Sequence, residues 1–258
     1  MKGIKNTVMS REDEMEFIVR SGCYSREENT RIYQKWFKNA PRYLFRAVDR
    51  KYRITEKILC DVGCGYGMNL RHCREGSYGL EIDPQLFDFA KSIGSDVYQR
   101  NVTTDDLRGL PKVDAIWCSA ILEHVDSPHV VLRKLHGLLK SGGLICVYVP
   151  TISPISFLRH IPLIGRYFSG FIHGDHVNAF SAKTIRFTCE RAGFKTCEVS
   201  PFYPGLLKIF DFLPLIDGIM YVGRKIDGWD YPGNAYRKAA DHPDGFVSKY
   251  LPAHHEGL

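Results

Sequence analysis

The sequence predicts an α/β protein: a doubly wound, largely parallel sheet of seven strands with helices on both faces. Three observations predict it. Short apolar runs recur from residue 57 onward, helix-length stretches separate several of them, and a glycine-rich turn follows the first run. The strands read at 57–62 (KILCDV), 77–82 (SYGLEI), 96–101 (DVYQRN), 113–119 (VDAIWCS), 143–150 (GLICVYVP), 195–200 (KTCEVS) and 219–225 (IMYVGRK). Helices are expected over 68–75 (MNLRHCRE), 84–93 (PQLFDFAKSI), 127–143 (SPHVVLRKLHGLLKSGG) and 181–194 (SAKTIRFTCERAGF).

Residues 1–54 read as an N-terminal helical segment. SRED at Ser10 resembles a capping box, and Tyr33, Trp36, Phe37, Tyr43 and Phe45 stand among charges. Such an amphipathic face either packs on the domain or covers a bound cofactor as a lid. Residues 55–225 form the main domain, with an insert near 151–180. Residues 226–258 make a polar, loop-rich tail.

Of the 258 residues, 44% are apolar and 25% charged, which fits a soluble globular chain and neither wholesale disorder nor an integral membrane protein. The net charge of +6 permits an anionic partner, yet Lys and Arg are scattered and form no basic run, so nucleic acid is not an expected partner. Eight cysteines make no CxxC pair and no zinc spacing. Most lie in strand-like runs, as core thiols do in a reducing cytoplasm. The start of the chain lacks the apolar stretch of a signal peptide. Charges at Arg159, Arg166, Lys208, Asp211 and Asp217 interrupt two later apolar stretches, which rules out spanning helices. Residues 153–172 and 202–216 could still rest on a membrane surface, giving a cytoplasmic protein with peripheral membrane contact.

The segment CDVGCGYGMNL (60–70) carries the chemistry. Glycines at 63, 65 and 67 strip side chains from the first strand-to-helix turn, where open parallel sheets bind ligands. A dinucleotide fingerprint would need Gly or Ala at position 68, which is Met68. The segment instead resembles the first motif of the class I methyltransferases, an apolar strand ending in acidic-x-G-x-G-x-G. Four more pieces fall in register: GLEIDP resembles the end of the second strand, and RNVTTDDL the loop after the third. VDAIWCSAILEHVDSP with LLKSGGLICVYVP is similar to the fourth strand and the turn into the fifth, and HVNAFSAKTIRFTCERAGFKTCEV to the H-x-x-x-F-[ST] segment of the small-molecule branch.

The resemblance covers roughly residues 55–225 and implies a Rossmann-like sheet, mostly parallel with an antiparallel last strand, and S-adenosylmethionine as cofactor. It implies that Asp61 meets the cofactor's amino group, directly or through water, while Gly63, Cys64 and Gly65 run along its methionine part. Glu81 would hold both ribose hydroxyls, and Ile82 and Ser119 would also border the cofactor. An acid usually meets the adenine amino group; here Asn101 stands in its place, with Val102 packing on adenine. The plainer readings are a turn cap for Asp61 and a solvated loop acid for Glu81, while Asp83 is expected to face away or to cap the helix that begins at Pro84.

Methyl transfer from a sulfonium mainly requires alignment of the acceptor, and a base matters only when the nucleophile starts protonated. The candidate bases are His124, in LEHV, and His176, with His173 nearby in HGDH. Each has an anchoring role as its alternative. Ubiquinone O-methyltransferases, which the sequence also resembles, place two acids and a histidine on a divalent metal in this stretch. Here Glu123 and His124 are present but Ala120 replaces the first acid, so no metal is expected. The insert carries Phe157, Leu158, Ile161, Leu163, Tyr167 and Phe171 beside Arg159 and Arg166, which fits an apolar acceptor pocket, a dimer contact or a membrane-surface segment. The expected acceptor is a small or lipid-like molecule methylated on oxygen. A sugar or glycan acceptor, a nicotinamide oxidoreductase and a non-catalytic cofactor-binding scaffold are the alternatives, and oligomeric state is open.

Overall fold

The computed structural model describes residues 26–32, 42–151, 176–201 and 218–229. The expected cap at Ser10, the aromatics Tyr33, Trp36 and Phe37, His173, most of the 151–180 insert, the 202–216 stretch and nearly all of the tail lie outside the described residues.

The elements are α1 (Arg26–Ile32), α2 (Tyr43–Tyr52), β1 (Leu59–Val62), β2 (Tyr78–Glu81), α3 (Pro84–Ser92), β3 (Val97–Gln99), β4 (Val113–Ser119), α4 (Pro128–Leu138), β5 (Leu139–Pro150), α5 (Ala182–Arg191), β6 (Phe194–Pro201) and β7 (Gly218–Lys225). Seven strands form one sheet in the order β3-β2-β1-β4-β5-β7-β6. Strands β1 to β5 pair in parallel, and β7 runs antiparallel to both β5 and β6. All seven expected strands are present, with the last one antiparallel as the resemblance implied.

Every residue of β1 and of β2 is buried, as expected when helices cover both faces of a parallel sheet. The strand period of two then sorts β4. Ile116 and Cys118 join Val131, Leu132 and Leu135 of α4 and Ile185 of α5 in one core layer. Ala115 and Trp117 face the other way, onto Leu44, Phe45 and Val48 of α2, together with Leu59, Cys146, Tyr148 and Met220. The aromatics of α2 therefore serve packing: the Phe45 and Trp117 rings meet edge to face at 5.2 Å.

Two expected helices come out differently. MNLRHCRE forms only the single 3-10 turn Leu70–His72. Its polar groups are committed elsewhere: the buried Asn69 side chain bonds Asp61 and the Arg42 main chain, and Arg74 N–H donates to Thr55 O. The helix expected over 127–143 stops at Leu138, and Leu139 already pairs with Val113 of β4. Gly142, at φ +65°, is the residue type that lets the chain bend there without leaving the sheet. Asp83 does cap α3, accepting from Gln85 N–H and Leu86 N–H, and Ser181 with Thr184 makes a capping box at α5. No helix among the described residues is long and apolar enough to cross a membrane.

Phe45 is fully buried on the sheet. Phe45→Ala is expected to cost about 3–5 kcal/mol, read as a lowered urea midpoint with an unchanged slope.

Candidate active site

The sheet order reverses at β1 and β4, so the loops leaving their carboxyl ends diverge and open a crevice. Asp61, Glu81 and Ser119 stand at or beside the carboxyl ends of β1, β2 and β4. The turn after β1 is pinned to β2 by Gly63 N–H and Cys64 N–H, both donating to Leu80 O at 2.8 and 3.1 Å. Gly65 N–H then donates to the Glu81 carboxylate at 2.7 Å. The other carboxylate oxygen accepts from Ile82 N–H and Asp83 N–H at 2.8 and 2.9 Å. Burial raises the Glu81 pKa, and these three main-chain donors oppose the rise.

Two glycines do different work. A Cβ on Gly63 would lie 2.2 Å from Ile121 Cδ1, so the first turn closes directly on the loop after β4. At Gly65, φ +55°, a Cβ would meet nothing within 4 Å. The main chain there borders open space, as a cradle for an elongated ligand requires.

Asp61 is 2% exposed. Asn69 Nδ2 donates to it at 3.1 Å, while Asn69 Oδ1 accepts from Arg42 N–H at 3.1 Å. Burial pushes the Asp61 carboxyl up to about 7; the Asn69 hydrogen bond and the Arg42 charge pull it down, and Glu81 adds to the rise. An ammonium brought to this carboxyl would favour its ionised form. Ser119 Oγ is buried with no hydrogen-bond partner, an open polar valence at the end of β4. Ile82, 58% exposed, puts an apolar side chain on the rim.

Other candidates sit less directly. The Cys64 side chain is buried with Leu70, Ala90 and Val97, so only its main chain can face the crevice. Asn101 Oδ1 accepts from Thr103 N–H at 2.9 Å, and Asn101 N–H donates to Asp105 at 3.0 Å, a closed local turn that occupies the amide oxygen. Lys134 Nζ braces this loop through the carbonyls of Val102, Thr103 and Asp105, while the Val102 side chain packs partly buried on the core.

Beyond Ser119, Ala120 takes the left-handed conformation, φ +56°, rare outside glycine, while its N–H donates to Tyr148 O. The loop then brings Glu123 and His124 against His176, which returns from the insert. The two imidazole rings lie 4.7 Å apart, edge to face. His124 Nε2 is 3.8 Å from the carboxylate of Glu123, which is 1% exposed. One ligand atom from each of the three residues lies within 4.8 Å of the others. Glu123 O accepts from both Val177 N–H and Asn178 N–H, and Asn178 Nδ2 donates to Leu122 O and Val125 O. His176 is therefore clamped to this loop by its neighbours. Asn69, Ile121, Lys134 and Asn178 escaped sequence reasoning. Only Asn69 carried a signal, a polar residue inside the apolar run GMNL.

Because folding raises the Asp61 pKa above its unfolded value near 4, its stabilising effect is complete below that value and lost as pH rises through about 7. Relative to Asp61→Asn, the wild-type unfolding free energy is expected to fall between pH 4 and 7, by at most about 1.4 kcal/mol per pH unit, and to level off above. Urea titrations at pH 5, 6, 7 and 8 check this, and parallel curves would refute it.

Comparison with known proteins identifies the family. The family described as methyltransferase domain matches residues 32–199. A ubiquinone biosynthesis O-methyltransferase of Pseudomonas syringae pv. tomato is 30% identical over 122 residues, covering 43% of this chain and 52% of the relative. A tRNA U34 carboxymethyltransferase of Campylobacter fetus subsp. fetus is 30% identical over 165 residues, covering 57% of this chain and 54% of the relative. The chain thus spans about half the length of the curated relatives it matches. The crystal structure of a SAM-dependent methyltransferase from Archaeoglobus fulgidus shares the fold, with a TM-score of 0.53 and 20% identity, covering 77% of this chain and 99% of that one. The chain belongs to the methyltransferase domain family, in the class I fold whose cofactor is S-adenosylmethionine.

Proposed function

We propose that this protein transfers a methyl group from S-adenosylmethionine to an oxygen of a small or lipid-like acceptor. One observation carries the reading: the open main chain at Gly65, flanked by Asp61, Glu81 and Ser119, lies on the same sheet edge as the paired imidazoles of His124 and His176.

Asp61 receives the cofactor's amino group, which also resolves the cost of burying an ionised carboxylate. The Gly63 to Gly65 main chain follows the methionine portion. Glu81 keeps accepting capacity for the ribose hydroxyls beside its three main-chain donors, since an ionised carboxylate offers about four lone-pair sites. Ile82 and Val102 flank the adenine, and Ser119 Oγ supplies a further polar contact. The bound cofactor provides a methyl carbon on a good leaving group, displaced in line. The imidazoles offer nitrogen acceptors for the proton of an acceptor hydroxyl, and Glu123 steadies the positive charge that results.

Topology supports an apolar acceptor. The described chain stops at Thr151 and resumes at His176, and it stops at Pro201 of β6 and resumes at Gly218, which pairs with Pro150. Both apolar stretches are thus rooted on the edge that carries the crevice.

Gly65→Arg places a bulky cation in the cradle at a backbone strain of about 1–2 kcal/mol. The variant is expected to remain folded while its affinity for S-adenosylmethionine in calorimetric titration falls at least about 100-fold; unchanged affinity would overturn the cofactor placement. His124→Ala is expected to lower turnover roughly 10² to 10⁴-fold with cofactor affinity retained. Turnover, read as S-adenosylhomocysteine released, should rise with extracted lipids and not with glycans. The reverse response would assign a sugar acceptor.

A further inference from the structure

At the edge of the sheet opposite the crevice, where β1, β4 and β5 enter the core and β7 leaves it, lies a cavity of about 380 Å³. Leu144 and Arg224 pair at this cavity, and six strand residues separate them from the Pro150 and Gly218 pair on the crevice edge. At about 3.4 Å per residue the two places stand about 20 Å apart. The methyltransferase reading uses none of the residues here.

Three cations converge on the cavity from separate parts of the chain: Lys57 before β1, Arg74 before β2 and Arg224 near the end of β7. Main-chain bonds hold them together. Arg74 N–H donates to Thr55 O at 2.9 Å, two residues before Lys57. Asp114 N–H donates to Ile58 O at 2.8 Å, which ties the start of β4 to the residue after Lys57. Arg224 is set by its pairing with Leu144, and its Nη1 donates to Gly142 O at 3.1 Å.

The two acids of the lining are already engaged. Glu56 accepts from Arg53 Nε at 2.8 Å, while the Asp114 carboxylate takes Lys140 Nζ at 2.9 Å and Ile58 N–H at 3.1 Å. Among the described residues, no carboxylate makes an ion pair with Lys57, Arg74 or Arg224. The cavity thus keeps a surplus of positive charge that the fold does not neutralise. Gly142, at φ +65°, also lines it, and a Cβ there would meet nothing within 4 Å, so a ligand can approach the main chain itself.

We propose that this cavity binds a small soluble molecule carrying a diphosphate group. Three converging cations suit a ligand with more than one negative charge, and the two arginines offer planar donor forks that fit phosphate oxygens. The volume stands at the small end of ligand sites. Leu144 is the one apolar side chain on the lining and is itself buried, so no wall is provided for an acyl chain.

The test is calorimetric titration of the full chain with inorganic pyrophosphate, and separately with inorganic phosphate, in about 0.15 M salt, where scattered surface charge is largely screened. One pyrophosphate per chain is expected, with phosphate bound at least about 10-fold more weakly. Arg74→Ala and Arg224→Ala should each weaken pyrophosphate binding about 10-fold or more, the loss that follows removal of a hydrogen bond to a charged group. Both arginines are exposed, so the variants are expected to fold, and circular dichroism spectra matching the wild type check this. Arg108→Ala removes an exposed cation outside the cavity and should change nothing. Saturating S-adenosylmethionine should leave the pyrophosphate affinity unchanged, because the two sites stand apart. Absence of saturable binding, an equal loss in Arg108→Ala, phosphate bound as tightly as pyrophosphate, or displacement by S-adenosylmethionine would each overturn the site. Pyrophosphate binding in a chain that takes no S-adenosylmethionine would count against the transferase reading alone.

Discussion

A single buried carboxylate organises the crevice. Glu81 ends β2, yet its side chain is spent on main-chain donors from two loops: Gly65 after β1, and Ile82 with Asp83 after its own strand. Charge-assisted bonds to backbone N–H groups are among the stronger ones available, and a buried acid needs them. They fix Gly65 in a left-handed conformation with its main chain turned to open space. The shape of the cradle and the placement of the Glu81 carboxylate are therefore one structural decision.

The same economy explains the acidic character of the pocket. Asp61 and Glu81 are both buried and both pushed upward by burial, and the Glu81 charge raises Asp61 further. Asn69 partly compensates Asp61, but a neutral amide offsets only part of the desolvation. A pocket in this state favours a ligand that brings positive charge, and a cofactor with an ammonium and a sulfonium does so. Holding the pocket open costs stability in the unliganded protein, and that is recovered when the ligand binds.

Much of this was legible in the sequence, for identifiable reasons. The seven strands and their largely parallel pairing follow from the alternation of apolar runs and helices. Asp61, Gly63, Gly65 and Glu81 stood out because acid and glycine are costly at strand ends unless something requires them. Asp83 before Pro84 offered a cap as one of two readings, and the structure takes it. The failures share a cause: side chains or backbone recruited by distant partners. The segment 68–75 has helical composition, but Asn69 is held by Asp61 and Arg42, contacts invisible in a local window. Asn101 closes a turn with Thr103 and Asp105, bonds that its sequence context did not announce. The positive φ of Ala120 has no sequence signature at all, since alanine carries no preference for it.

The treatment of His176 shows how far a motif can be read before geometry is needed. Its sequence context identifies a segment preceding a helix, and Phe180 and Ser181 behave accordingly, the first buried and the second capping α5. Nothing in that context relates His176 to Glu123, because the insert lies between them. The relation is made by two main-chain bonds to the Glu123 carbonyl and by the Asn178 amide spanning the loop. Those bonds satisfy backbone groups that a turning loop would otherwise leave open. By satisfying them, they also set two imidazoles beside a buried acid at the mouth of the crevice. Losing Asn178 should therefore disturb the imidazole pair before it disturbs the sheet, because the amide spans the loop and does not touch the strands that carry the fold.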